Sequence, residues 1–378
     1  MLEIIYKDQK TAARCGKIET AKGIIETPAF ILKTHNILKP LEEEKLKEIN
    51  TQIIKTDAYE IWKILSDEGI NFSTGIYDIL KWHGPIMTDS GSLEIIKIKL
   101  IDQKNNILNI SNSGIHFKDH RQGIEDYFDA ETSLKIQEEL NPDIITAFDL
   151  PNDFYFTSNK NSTLNENKNQ ALETLEKSQK WQIRFLEAKT STKQVYGVLG
   201  GGIFNDLIEL SSQFLKKFNF DGIIILNTLQ KPELKEILKI IDLVNKNTYE
   251  IQIKHIKNIE SIKELFEVIK KGIDVFETDL PYKNSKNGLA WSLNKIINLN
   301  EPKYSNDNSI LDEFCECPIC KEGITKKEIY WQLNLKDKKA FTNLLIHNIY
   351  FINNLTKNIQ EAIKNNELKK LEKFYLNN

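Results

Sequence analysis

DIITAFD (143–149) is a short β-rich run that stops on a carboxylate, and it decides the fold because the same pattern recurs along the chain. Toward the N-terminus the matching runs are PIMTD (85–89), QIIKTD (52–57) and ETPAFIL (26–32). Toward the C-terminus they are QVYGVLG (194–200), DGIIILN (221–227), YEIQIKH (249–255) and GIDVFETD (272–279), which completes eight. Several intervals carry helical apolar spacing, as in ALETLEKSQKWQIRFLEAK (171–189) and PELKEILKIIDLVNK (232–246). Strands alternating with helices argue for parallel βα units, and eight such units predict a closed (β/α)8 TIM barrel of the α/β class. In that fold catalytic groups sit at the C-terminal ends of the strands, which here places Asp57, Asp89, Asp149, Asn227, His255 and Glu277. Polar residues also end strands where no chemistry occurs, so both readings stay open for each of them.

The long stretch 90–142 predicts an insertion with its own hairpin, and SNKNSTLNENKN (158–169) reads as a polar loop. From residue 301 the pattern changes: EPKYSNDNS is a loop, a cysteine cluster follows, and KAFTNLLIHNIYFINNLTKNIQEAIKN (339–365) has the spacing of a long amphipathic helix. The expected division is therefore a barrel over 1–300 and a zinc-binding subdomain with a C-terminal helix over 301–378. No repeat of fixed period is apparent beyond the βα alternation.

The 378 residues are 40% hydrophobic and 28% charged, with 18 Phe and 12 Tyr, a composition that supports a sizeable core and excludes a disordered chain. Lys and Arg number 51 against 54 Asp and Glu, so the net charge of −3 does not advertise nucleic-acid binding. Any RNA contact must come from a local patch. There is no run of about 18 apolar residues, and MLEIIYKDQK lacks the apolar core of a secretory signal. The expected location is the cytoplasm, the surface of an organelle included.

Four cysteines, three of them within six residues, suit a metal better than a disulfide framework. Cys315, Cys317 and Cys320, followed by His347 inside the last helix pattern, supply the Cys3His set that tetrahedral structural zinc prefers. Four protein ligands leave no open position, so the ion would hold the C-terminal helix against the barrel. The alternative is buried free cysteines. Cys15 lies too far away in sequence to belong.

In order along the chain, GPIMTDSGS (84–92), NPDIITAFD (141–149), VYGVLGGG (195–202), FDGIIIL (220–226), GIDVFETDLPYKNSKNG (272–288) and CECPIC with its distant HN resemble the motifs of tRNA-guanine transglycosylases. The resemblance covers about residues 10 to 365. It implies a (β/α)8 barrel with a zinc subdomain that exchanges a guanine of tRNA for a 7-deazaguanine base. Bacterial members are homodimers that install a queuosine precursor at the wobble position. Eukaryotic ones pair a catalytic subunit with a paralogue and install queuine.

Base exchange at a ribose C1′ passes through oxocarbenium-like charge, so one carboxylate attacks C1′ while a second acid or base handles the leaving guanine. The resemblance assigns these roles to Glu277 and Asp89. Glu277 stands where the family has Asp, and its extra methylene shifts the carboxylate by about 1 Å, an error that can cost on the order of 100-fold in rate. Asp149 keeps a position that reads the base, with Gly200 and Gly201 beside it. Gly200 stands for the usual Gln, and LNTLQ (226–230) replaces a Gly-Gly-Leu. Glu60 replaces His, Asp57 replaces Asn and Glu94 replaces Gln. Lys283 and Lys286 occupy the places of tRNA-touching arginines, and the alternative for them is a solvated basic turn. Because the departures cluster at the chemical site, the resemblance is greatest to the accessory subunit, whose Phe-Glu-Ser-type stretch before Pro-Tyr matches Phe276-Glu277-Thr278 before Pro281-Tyr282. Its expected partners are a catalytic paralogue, tRNA and queuine or a related base. The alternative is an active transglycosylase with Glu277 as nucleophile and altered base specificity, and a third reading is action on DNA or another nucleic acid.

Overall fold

A computed structural model of the chain describes all residues except 35–40, 68, 70–74, 102–106, 119–124, 152–162, 227, 229–230, 294 and 377–378. Eight parallel strands close into a barrel: Ala29–Lys33, Ile53–Asp57, Ile86–Asp89, Ile144–Thr146, Gln194–Val198, Gly222–Ile225, Ile253–Ile256 and Val275–Glu277. Each falls within, or within one residue of, the run from which it was expected. The first strand closes on the eighth with Phe30 opposite Phe276 and Ile31 opposite Glu277. The strand from DIITAFD is shorter than its run, yet Ala147 N still donates to Tyr196 O at 3.0 Å.

Alternate residues of each strand face the barrel interior, and this period sorts the interior into layers. Ala29, Ile31, Ile53, Met87, Ile144, Tyr196, Val198, Ile224, Ile253 and Val275 form an apolar lower part. Leu2, Ile18 and Ile25 join it from below. They belong to an antiparallel sheet of Leu2–Lys7, Arg14–Thr20 and Gly23–Thr27 that the strand count did not foresee. Continuing each period upward brings Lys33, Lys55, Asp57, Asp89, His255, Lys257 and Glu277 to the C-terminal mouth. Gly222 makes room for the large Tyr196 ring, whose carbons lie 2.8 Å from where its Cβ would be.

The surrounding helices follow from apolar spacing and caps. Leu234–Asn247 buries Ile237, Ile240, Ile241 and Val244, an i, i+3, i+4, i+7 stripe. Ser261 caps Ile262–Lys270 by accepting from Glu264 N. The polar loop expected over 158–169 gives way to helix from Leu164. Thr163 and Glu166 form a reciprocal capping box, and the helix runs to Ala188. The low apolar content of its first turns concealed that start, whereas the Thr-x-x-Glu spacing marks it. Residues 158–162 of that stretch lie outside the described residues.

The insertion is a three-stranded antiparallel sheet, Ile107–Ile110, Ile115–Lys118 and Glu125–Phe128. The long C-terminal helix spans Lys338–Lys364, in agreement with its spacing. Among the described residues no helix is long and apolar enough to cross a membrane.

Candidate active site and metal centre

At the barrel mouth, Lys55 Nζ lies 2.6 Å from Asp89 Oδ2 and 2.6 Å from Glu277 Oε1, so one ammonium bridges the two expected carboxylates. Lys257 Nζ donates to the other oxygen of Asp89, Oδ1, at 2.9 Å. Lys33 Nζ stands 3.6 Å from Glu277 Oε2 and 3.3 Å from Asp279 Oδ1. His255 Nε2 approaches Glu277 Oε1 to 2.7 Å, although neither ring nitrogen makes a well-aligned hydrogen bond. The side chain of Glu277 is 0% exposed and that of Asp89 22%.

Burial alone would raise both carboxyl pKa values, and the cations decide the outcome. For Asp89, Lys257 and Lys55 overcome burial and hold it at about 2. For Glu277, burial is again overcome, here by Lys55, His255 and Lys33, and the group lies well below its ordinary value. Lys55 is raised, because Asp89 and Glu277 outweigh burial. His255 is lowered by burial, against the pull of Glu277. Lys257 is lowered by burial, with Lys55 repelling it and Asp89 opposing the shift. Asp57 differs: burial, Glu94 and Asp89 all push it well above its ordinary value, and its Oδ1 accepts from Glu60 N at 3.0 Å.

Asp149 is fully buried and accepts from Ser92 Oγ at 3.0 Å and Ser90 Oγ at 3.4 Å. Gly200 N donates to Ser211 Oγ at 2.8 Å. At Gly201 φ is +104°, and a Cβ would come within 2.7 Å of Leu207 C and 2.8 Å of Ile208 N. The helix Asn205–Lys217 therefore accounts for that glycine. Asn227 lies outside the described residues, as does most of LNTLQ.

Lys283 and Lys286 are exposed on a short helix, Leu280–Lys286, that follows directly on the strand bearing Glu277. Tyr282 on the same helix meets Phe341 edge-on at 5.5 Å.

The residues missed in sequence are Lys33, Lys55 and Lys257. For Lys55 the signal was present: a lysine inside the β-run QIIKTD, at a position the alternation turns inward, needs a buried anionic partner, whereas Lys33 and Lys257 lie just beyond the runs read as strands.

The expected metal ligands do come together: one donor atom from each of Cys315, Cys317, Cys320 and His347 lies within 4.8 Å of all the others. His347 Nδ1 is 3.7, 3.4 and 3.6 Å from the three sulfurs in that order. For zinc, with bonds near 2.3 Å to sulfur and 2.0–2.1 Å to nitrogen, a tetrahedron's S···N edge is about 3.6 Å. The fit is close. His347 Nε2 donates to Trp291 O at 2.6 Å, which fixes the tautomer and leaves Nδ1 as the ligand. Cys317 accepts from Cys320 N and starts the turn Pro318–Lys321 that returns the third sulfur to the first two. The set is suited to structural zinc. Cys15, as expected, stays apart, buried with Sγ 3.5 Å from Gln360 O.

The family model described as queuine tRNA-ribosyltransferase matches residues 8–378. A queuine tRNA-ribosyltransferase of Thermoanaerobacter sp. (strain X514) is 29% identical over 98% of this chain and 96% of its own length. One from Buchnera aphidicola subsp. Acyrthosiphon pisum (strain 5A) is 27% identical over 99% and 96%. Another, from Francisella tularensis subsp. novicida (strain U112), is 27% identical over 100% and 98%.

Proposed function

Since the chain belongs to the queuine tRNA-ribosyltransferase family, we propose that it serves tRNA base exchange as an accessory, non-catalytic subunit that pairs with a catalytic paralogue and helps place tRNA. The observation that carries this reading is the double contact of Lys55 with Glu277 and Asp89. A nucleophile at C1′ needs an open lone pair facing a carbon that is acquiring positive charge. Here an ammonium already occupies the space between the two carboxylates, and Glu277 is wholly buried beneath it. Lys55 and Lys257 meet Asp89 at one oxygen each, so the second carboxylate is likewise engaged.

Two surfaces supply what an accessory subunit needs. Lys283 and Lys286 offer exposed ammonium groups to phosphate from a helix rooted in the barrel mouth. In the segment 301–378, read as the zinc subdomain, Phe314 is 79% and Leu335 77% exposed, and Trp331 lies one helical turn before Leu335. Large exposed apolar side chains suit a protein partner. Queuine or a related 7-deazaguanine would then enter at the partner's centre, in the cytoplasm.

The test is exchange of labelled guanine into an unmodified tRNA with a GUN anticodon, by this chain alone and with the catalytic paralogue of the same organism. Exchange only when both are present is the expected result. A second reading, an enzyme with Glu277 as nucleophile, is favoured by one observation: Glu277 and Asp89 are both held ionised on the same mouth of the barrel. Exchange by this chain alone, abolished by Glu277→Gln, would establish it and end the accessory reading.

A further inference from the structure

The residue after the zinc-binding histidine has no role in the chemistry, yet it is fully buried and uses its whole amide. Asn348 Nδ2 donates to Ser285 Oγ at 3.0 Å and to Leu289 O at 2.9 Å, and its Oδ1 accepts from Trp291 N at 3.2 Å. All three partners lie between 285 and 291, immediately around the end of the helix that carries Lys283 and Lys286. Ser285 passes the contact inward, since its Oγ donates to Pro281 O at 2.6 Å across one turn of that helix.

His347 and Asn348 grip the backbone of the same residue, Trp291, through its C=O and its N–H. His347 Nε2 holds Trp291 O at 2.6 Å while Asn348 Oδ1 holds Trp291 N. The Trp291 ring stacks on Phe351, one turn further along the helix, at 4.9 Å and 9°. The orientation of His347 is shared between Trp291 and the cysteine sulfurs, so the metal centre and the strand Leu289–Ser292 cannot move independently.

We infer that Asn348 is a positioning residue that couples the metal centre to the placement of Lys283 and Lys286, so that tRNA binding is linked to zinc through the 285–291 segment. This rests on the reading of Lys283 and Lys286 as phosphate contacts. With zinc bound, His347 and Asn348 hold the segment and the two ammonium groups stay in register with the RNA backbone. With the grip released, the lysines remain present but no longer act together.

The experiment is tRNA binding by the full zinc-loaded chain as a function of salt, with an unmodified tRNA transcript as the probe. Each phosphate contact contributes about 0.7 to 0.9 to the slope of log K against log salt. Lys283→Ala with Lys286→Ala is therefore expected to lower the slope by roughly 1.4 to 1.8. Ser285→Ala and Asn348→Asp, each checked for full zinc content, are expected to lower it by a comparable amount and to add nothing further on the lysine-free background. Stripping zinc with a chelator should do the same. If the lysine variants lower the slope while zinc-loaded Ser285→Ala and Asn348→Asp keep the wild-type value, the coupling is wrong and the phosphate contacts stand. If the lysine variants themselves leave the slope unchanged, the placement reading falls and this inference with it.

Discussion

Lys55 and Glu277 meet 2.6 Å apart, Nζ to Oε1, with side-chain exposures of 3% and 0%, and Lys55 makes a second bond of the same length to Asp89. Removing one partner of a buried ion pair leaves an uncompensated charge and typically costs about 3–5 kcal/mol. Lys55→Met is expected to lose stability in that range, measured by urea unfolding. Lys55→Met combined with Glu277→Gln should recover much of the loss, because the stranded charge is then gone. If the losses in the double-mutant cycle simply add, the pair is not coupled and the bridging description fails.

The same cations set the acid limb of stability. Asp89 and Glu277 have folded pKa values below their unfolded ones, which lie near 3.9 and 4.3. Their contribution is fully present above the unfolded values and is lost as pH falls through the folded ones, about 2 for Asp89. The wild-type melting temperature should therefore drop steeply between about pH 4 and pH 2. In Lys55→Met the carboxylates lose a cation, their pKa values rise toward the unfolded ones, and this part of the slope should flatten. An unchanged slope in that variant would show that other carboxylates govern acid unfolding.

Asp57 has the opposite sign. Its folded pKa lies well above the unfolded value, so the stability it contributes is present below about pH 3.9 and is lost as pH rises through the window up to the folded pKa. Asp57→Asn keeps an oxygen to accept from Glu60 N and removes the ionisable group. The expected outcome is a higher melting temperature at pH 8 and little change at pH 4. Equal shifts at both pH values would show that ionisation of Asp57 is not the cause.

Why the barrel was legible while its centre was not can be seen in two strands. QIIKTD and GIDVFETD announce themselves by β-branched residues and a terminal carboxylate, because a parallel strand buried on both faces needs apolar side chains wherever no function intervenes. Asp89 and Glu277 could be placed from such strand ends. That Lys55 lies across both of them could not, since the partner of an inward lysine depends on which strands close the barrel and in what register. Here Asp57 faces Asp89, and Ile31 faces both Ile53 and Glu277, pairings that only the closed sheet brings together. The metal site was legible because a knuckle of closely spaced cysteines is a local feature, whereas the grip of Asn348 on Trp291 is not.

Zinc removal gives a separate prediction. Cys317→Ser replaces a fully buried thiolate ligand, the one whose sulfur lies 3.4 Å from His347 Nδ1. Bound zinc should fall well below stoichiometric, and the melting temperature should fall with it, as should that of chelator-treated wild type. Cys15→Ser removes the one cysteine outside the cluster and should leave zinc content unchanged. Loss of zinc in Cys15→Ser but not in Cys317→Ser would contradict the assignment of ligands.

Gly201 tests whether a glycine at the barrel mouth serves the substrate or the fold. Its φ of +104° disfavours any residue with a Cβ, and the added carbon would press on the backbone at Leu207 and Ile208, where no side-chain rotation can relieve it. Gly201→Ala should therefore cost about 1–3 kcal/mol through strain and forced backbone shifts. If instead Gly201→Ala retains full stability and only tRNA or base binding suffers, the helix Asn205–Lys217 is not what requires the glycine, and the substrate-binding role implied by the family resemblance applies at that position.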